Sequence, residues 1–384
     1  MGVIHFLLES QFWFPIWVIF LLEKDFTLQQ IVFADMIFRG SIVIMEFPLG
    51  VLGDKIGRKS TYFSGAVLGV ITYLLLLVTN NFLTLALCWI MWAFFLSILS
   101  GTNTAYRYEL LATRNKAKSN VRLFGLFNSI AALSLVISHS SAGFLYNIKP
   151  ALPIIINCCF AGLAALLILT LPGIPRPKVS NAPNSLKEIW RAFLVLAKKE
   201  RTLLATIFLL AIWTAFHWTP TLLYQPLLKS IGLGTESFGV IFALFTGMGI
   251  LSGFITGKIA GRIGNITLII LGIIMQVIAV GITAFSSTIA LIIFGIVLLR
   301  FAFFLCEPVL NIILNNNLTN DIRASVISLV NLVASIIMIF SRPLVGLTAD
   351  RYTVKLAFMV WFVVGLVALG ISSLLLLKLK KTPA

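Results

Sequence analysis

The sequence predicts an all-α integral membrane protein, with twelve transmembrane helices in two pseudo-symmetric six-helix bundles. Three observations carry this. Hydrophobic residues make up 59% of the chain and charged residues 11%, where a soluble domain holds about one-quarter charged residues; the mean hydropathy is +1.04. The apolar runs are continuous rather than alternating, each close to the roughly 20 helical residues that cross a bilayer core of about 30 Å, which favours helices over a closed barrel. The second half of the chain also repeats features of the first.

The first run, 3–22, is long and has no basic leader, so it reads as a span rather than a cleaved signal peptide. Runs 29–52 and 60–78 flank the charged decapeptide GVLGDKIGRK at 50–59, expected to be a tight turn outside the lipid. Runs 82–103, 121–145 and 151–171 complete a first domain over 1–171. Residues 172–202 form a cytoplasmic linker that opens with the extended stretch PGIPRPKVSNAP. A capping-box pattern, Ser185 to Glu188, then starts an amphipathic helix. Its apolar residues Leu186, Ile189, Phe193, Leu194 and Ala197 oppose Lys187, Arg191, Lys198 and Lys199, a pattern suited to the membrane surface. Runs 203–226, 237–257, 265–285, 289–311, 324–347 and 354–377 make a second domain over 203–384.

Basic residues orient the chain. With both termini cytoplasmic, twenty-one of the 29 Lys and Arg fall in inner segments and five in outer ones: Lys24, Lys149, Lys229, Arg351 and Lys355. Arg39, Arg300 and Arg342 lie within spans. The net charge of +16 is this inner-loop bias, which attracts anionic lipid and calls for no nucleic acid. Cys88, Cys158, Cys159 and Cys306 sit in apolar runs without metal-ligand spacing and read as buried thiols.

Residues 128–147, NSIAALSLVISHSSAGFLYN, align with 331–350, NLVASIIMIFSRPLVGLTAD, at an offset of 203. Ser138 meets Ser341, His139 meets Arg342 and Gly143 meets Gly346. GVLGDKIG at 50–57 recurs as GKIAGRIG at 257–264, displaced by 207. Two six-helix repeats are implied, the layout of a transporter whose site lies between repeats.

The decapeptide resembles motif A of the major facilitator superfamily, matched at Gly50, Leu52, Asp54, Gly57, Arg58 and Lys59, with Lys55 for the usual Arg. Together with the twelve spans and the degenerate second copy, the resemblance covers nearly the whole chain. It implies two bundles working by alternating access. It further implies that Asp54 latches against the start of helix 11, near Ala324 and Ser325, with Arg58 holding its carboxylate. Glu46 adjoins this gating motif, and in the second copy Gly261 stands at the Asp54 position. The stretch 298–331 is similar to helix 10 of bacterial facilitator proteins assigned to drug export, and SGTNTAYRYEL at 100–110 to their helix 4. Asn103 and Thr104 replace the usual acidic pair of that group, and the antiporter motif of helix 5 is reduced to Ser138, His139, Ala142 and Gly143.

Charges inside spans point to a cavity, because each costs a few kcal/mol or more at the bilayer centre (about +2.5 to +3.5 on insertion scales) unless partnered. Arg39 and Arg300 lie ten and eleven residues into their spans, about 15 Å deep. Asp35 precedes Arg39 by one turn and is placed to pair with it. Glu9, Glu307 and Asp35 are the proton-coupling candidates, since a carboxylate in a partly dry cavity can exchange protons near neutral pH. Arg39, Arg300, Gln11, Trp92 and Trp213 are the substrate-cavity candidates, whereas His139 and His217 read as packing residues near outer span ends.

No nucleotide loop, catalytic triad or zinc spacing occurs, so an ATP-driven pump or enzyme is not expected, nor a cofactor or metal. The expected function is secondary active transport in a bacterial-type inner membrane, by a monomer that uses protons to expel small amphipathic organic compounds. Two alternatives stay open: proton symport of an anionic metabolite, favoured by the midplane arginines, and a transport-dead sensor or scaffold. The partners implied are a small-molecule substrate, protons and membrane lipids.

The loop charges make the topology testable. Single cysteines at Asn80 and Lys229 are expected to react with an impermeant thiol reagent from outside, and ones at Ser60 and Ser180 not. Reversed labelling would contradict the orientation.

Overall fold

The computed structural model describes residues 1–112, 120–173, 201–316, 318 and 320–380, with side chains for 1–45, 57–99, 106, 125–173, 203–316, 318 and 326–376. All regular structure in these residues is helical. In chain order the helices are α1 (Gly2–Glu9), α2 (Trp17–Leu22), α3 (Leu28–Ile56), α4 (Arg58–Val78), α5 (Phe82–Ala112), α6 (Asn120–Ile148) and α7 (Leu152–Leu169). After the linker come α8 (Arg201–Trp218), a 3-10 turn (Thr219–Leu223), α9 (Tyr224–Ser230), α10 (Thr235–Ile263), α11 (Asn265–Phe285), α12 (Ile289–Asn316), α13 (Asn320–Arg351) and α14 (Val354–Lys380). The amphipathic helix expected in the linker falls outside the described residues.

Eleven segments of the described residues are long and apolar enough to cross a membrane. Large apolar side chains stand outward on them, Leu83, Phe254 and Phe340 among them, as lipid-facing surface requires. The twelfth expected span, 3–22, is not continuous: α1 and α2 are separated by the turns of residues 10–16.

The decapeptide also differs from expectation. It is not a ten-residue turn, because α3 runs on to Ile56 and α4 begins at Arg58. The whole reversal rests on Gly57, at φ +97°, and its repeat partner Gly264, at φ +84°, plays the same part between α10 and α11. Both dihedrals lie where a Cβ is strained, which is why glycine recurs at this offset.

Two compact units divide the chain: Met1–Phe26 with Phe33–Asn184 and Gly234–Ala243, and Thr27–Val32 with Ser185–Leu233 and Leu244–Ala384. Within the first, α4 packs on α5 and α7, and α1 on α6 and α7. Within the second, α11 packs on α12 and α14, and α8 on α13 and α14. The pairings correspond helix for helix, so the sequence repeat is also a repeat of packing. Ile4, Leu7, Tyr62, Ala66, Ala164, Ala165 and Ile168 form a core of the first unit, and Ala211, Ala215, Ala334 and Met338 one of the second.

Each unit also holds the first turns of a helix that continues in the other. In the second unit Gln29 N donates to Asp350 Oδ2 at 2.6 Å, and Gly346 leaves room for Val32. In the first, Asn147 Nδ2 donates to Glu236 Oε2 at 2.8 Å, the Thr235 hydroxyl donates to Asn147, and Gly143 leaves room for the backbone of Thr235. Asn147 and Asp350, like Gly143 and Gly346, are repeat partners at the offset of 203.

The break between α1 and α2 follows from Pro15, which has no N–H and disfavours helical geometry at Phe14. Ser10 turns extended and the chain closes tight turns from Gln11 O to Phe14 N and from Trp13 O to Ile16 N. The groups this frees are met by side chains. Asn157 of α7 donates to Ser10 O at 2.6 Å and accepts from Trp13 N at 3.2 Å, while Ser138 Oγ of α6 accepts from Gln11 N at 2.9 Å.

The second unit solves the same problem at Pro220, where α8 gives way to the 3-10 turn. The carbonyl four residues before this proline, Phe216 O, accepts from Trp361 Nε1 of α14 at 3.1 Å. Trp218 O accepts from Arg342 Nη2 of α13 at 3.0 Å and from Thr221 Oγ1 at 2.6 Å, and Thr219 Oγ1 and Ser341 Oγ share a 2.8 Å bond. Trp13 and Pro15 recur as Trp218 and Pro220, and Ser138 as Ser341.

Asn157 is 2% exposed. Its replacement by Leu would strand Ser10 O and Trp13 N, at about 1–3 kcal/mol for each orphaned group. Thermal unfolding in detergent is expected to show a clearly lower midpoint for Asn157→Leu, and none of this loss for Cys158→Ala one residue on.

Candidate functional site

The helix break in the second unit sets a cluster of polar and aromatic side chains around Arg300. His217 and Trp218 end α8, and Arg300, Phe303, Phe304 and Glu307 follow one another along one stretch of α12. Arg300 Nη1 lies 2.8 Å from His217 Nε2. A guanidinium only donates, so Nε2 is the acceptor, and the neutral imidazole carries its proton on Nδ1. The His217 ring is fully buried and lies flat on Phe303, with centroids 4.2 Å apart and planes 7° apart. The guanidinium carbon stands 4.6 Å from the Trp218 ring centroid and 5.1 Å from that of Phe304, two cation–π contacts on side chains that remain partly exposed. Gly249 of α10 gives Phe304 its space.

Among the described residues Arg300 has no carboxylate within ion-pair distance. Among the described residues the ion pairs are His5 with Glu9 and Arg39 with Asp35. Glu307, the acid of α12 seven residues on, acts on Arg300 at longer range. Arg300 Nε is buried without a hydrogen-bond partner, as is the hydroxyl of Tyr224, which shares the electrostatic environment of Arg300. The cluster thus presents a cation and unmet polar groups against aromatic faces. Chemically this suits an anion that brings its own acceptor oxygens and an apolar or planar body.

The first unit holds an aromatic cluster at its own helix break. Trp13 lies 4.6 Å from Trp92, Trp92 lies 5.3 Å from both Tyr73 and Phe95, and Trp17 lies 5.3 Å from Trp89, all between ring centroids. Trp92 keeps part of its surface open, whereas Trp13, Trp17 and Trp89 are buried.

The residues expected from sequence fall in several places. Glu9 sits beside His5 at 3.5 Å and is partly open, and Gln11 bonds through its backbone to Ser138. Asp35 and Arg39 make the intrahelical pair, with Arg39 Nε 3.9 Å from Asp35 Oδ2 and the guanidinium 5.3 Å from the Phe38 ring. Trp213 is 2% exposed, donates to Ser372 Oγ at 2.9 Å and packs on Phe216, so it lies in the interior packing of its unit. Lys59 donates to Leu169 O at 2.7 Å and Leu171 O at 2.6 Å, capping the carboxyl end of α7, a favourable place for a cation. Lys24 does the same for α4 through Leu77 O and Thr79 O, and burial lowers its ammonium below the ordinary lysine range. Arg58 opens α4 and Gly57 precedes it. The side chains of Glu46, Gly50 and Asp54, and those of Ala324 and Ser325 in the expected latch, lie outside the described residues.

His217 is the principal correction: it is not only a packing histidine but the direct partner of Arg300. Asn157 stands outside the sequence expectations, and its signal in the sequence is a lone amide in the run IIINCC.

Comparison with known proteins follows the same lines. The chain matches the family model described as Major Facilitator Superfamily over residues 2–341 and again over 226–384. It is 26% identical over 247 residues to the MFS-type transporter YxaM of Bacillus subtilis (strain 168), covering 62% of this chain and 60% of that protein. It is 27% identical over 124 residues to the MFS-type transporter MJ1317 of Methanocaldococcus jannaschii, covering 32% and 30%. The alignments therefore span less than two thirds of either relative. Among solved structures, a mutant of the nucleoside transporter NupG superposes with a TM-score of 0.83 at 15% identity, covering 97% of this chain and 98% of that one. A D-xylose-proton symporter gives 0.74 at 15% identity, covering 97% and 94%. At these identities the likeness establishes the fold.

Proposed function

The chain belongs to the major facilitator superfamily, and from that premise we propose that it is a secondary active transporter that carries a small organic anion together with a proton, with Arg300 as the seat of the anion. The observation that carries this reading is a cation bonded to a neutral imidazole, stacked on Trp218 and Phe304 and without a paired carboxylate. A bound carboxylate or sulfonate would take the planar fork of the guanidinium and lay its apolar part on the aromatic faces. Carrying one proton per monoanion makes the translocated set neutral, which suits uptake driven by a pH gradient across the inner membrane. Export of amphipathic compounds is the second reading. The partly open Trp92 edge of the aromatic cluster at the first helix break favours it.

Permanently charged probes separate the two. p-Toluenesulfonate is expected to bind the purified protein and to exchange in proteoliposomes, and benzyltrimethylammonium is not. Arg300→Gln is expected to weaken sulfonate binding about 10- to 100-fold, the worth of a charge-assisted hydrogen bond of roughly 1.5–3 kcal/mol, and Arg300→Lys to keep part of it. Binding of the cation alone, or sulfonate binding untouched by Arg300→Gln, would overturn the anion reading.

A further inference from the structure

We infer that His217, rather than a carboxylate, is the group that takes up the transported proton, and that Arg300 gates it; this rests on the anion-transport reading above. The geometry makes the two events exclusive in one direction. While Arg300 Nη1 donates to His217 Nε2 at 2.8 Å, that lone pair is occupied, and a proton placed there would set two cations at hydrogen-bond distance. An anion that draws the guanidinium to itself breaks the Nη1–H···Nε2 bond. The imidazole Nε2 then takes a proton from hydronium of the aqueous phase, forming Nε2–H and leaving water, and the anion balances the added charge. Release of the anion lets Arg300 return, and the proton leaves as Nε2 again becomes an acceptor. One anion and one proton thus move as a set, and neither is stabilised in the site without the other.

The other groups around the imidazole fit this role. From α12, Glu307 lies close enough to act on Arg300 and makes no ion pair with it among the described residues. From α9, the Tyr224 hydroxyl shares the field of Arg300. From α13, Arg342 bonds the Trp218 carbonyl one residue on and adds positive charge nearby. From α14, Trp361 bonds the Phe216 carbonyl and carries no charge. Arg300 is bonded to the ring and Arg342 to the neighbouring Trp218 carbonyl, so a bound anion supplies the charge that allows an imidazolium. The ring itself is fixed by its stack on Phe303, which keeps Nε2 aimed at the place Arg300 vacates.

The chain has three histidines, so a background carrying His5→Gln and His139→Gln leaves His217 as the sole imidazole for 15N NMR. Between about pH 5 and about pH 8, the window in which an unperturbed imidazole titrates, His217 is expected to stay neutral with its proton on Nδ1. In the same background with Arg300→Gln it is expected to titrate. A His217 that titrates with Arg300 present, or that stays neutral with Arg300→Gln, overturns the inference without touching the anion reading. Binding gives the second arm. p-Toluenesulfonate carries its charge at every pH used, so any pH dependence belongs to the protein. Its Kd is expected to tighten by up to about tenfold per pH unit as pH falls towards neutrality and below, the slope for uptake of one proton. His217→Gln is expected to keep sulfonate binding and lose that slope, while a slope preserved in His217→Gln overturns the inference. If the sulfonate fails to bind the unaltered protein, the anion reading fails, and the NMR result still decides whether Arg300 controls the protonation of His217.

Discussion

A peptide group that loses its helical partner inside a bilayer has no water to turn to, and this constraint shapes both units of the chain. Pro15 and Pro220 each interrupt the first helix of a repeat, and the helices that follow supply what the breaks leave unmet. Asn157 and Ser138 do so in the first unit; Trp361, Arg342 and Ser341 do so in the second. The side chains differ in chemistry, and in whether they donate or accept, but come from corresponding helices, the last two of each six-helix repeat. Duplication has therefore kept the positions of the repair while its side chains diverged. The fold depends on these bonds because they fix where α1 and α8 end, and so where every side chain at those ends points.

That placement has different chemistry in the two units. Ending α8 at Trp218 brings His217 and Trp218 against Arg300 on α12, one by a hydrogen bond and one by its ring face. The corresponding break of the first unit holds Trp13 against Trp92, with no arginine in that cluster among the described residues. The two units thus share a backbone solution and differ in charge. Arg39 in the first is paired with Asp35 on its own helix, whereas among the described residues Arg300 in the second has no such ion pair.

Much of the fold was legible in the sequence because a membrane span is a long, strongly apolar signal. The repeat was legible too, down to Ser138 with Ser341 and Gly143 with Gly346, whose pairing the structure explains through the helix breaks and the first turns of α10 and α3. The run 3–22 hid its interruption because composition averages over Pro15, although the shared Trp-x-Pro of 13–15 and 218–220 marks both breaks. The decapeptide at 50–59 has the charge of an exposed loop, yet α3 and α4 run into it from both sides and Gly57 makes the turn. Within the candidate site, Arg300 and Glu307 stood out as charges in apolar surroundings. His217 did not, since its meaning lies in a partner 83 residues away, and a contact between α8 and α12 is a product of packing that no local pattern records. Trp213 shows the reverse: an aromatic far from span ends looks available to a ligand, yet its indole is spent on Ser372.

The most direct measurement is a cryo-electron microscopy structure of the protein with p-toluenesulfonate bound. The account predicts density for the sulfonate on the Arg300 guanidinium, its ring against Trp218 and Phe304, and Arg300 Nη1 drawn away from His217 Nε2. A sulfonate bound elsewhere, or one bound beside an Arg300 still joined to His217, would contradict it.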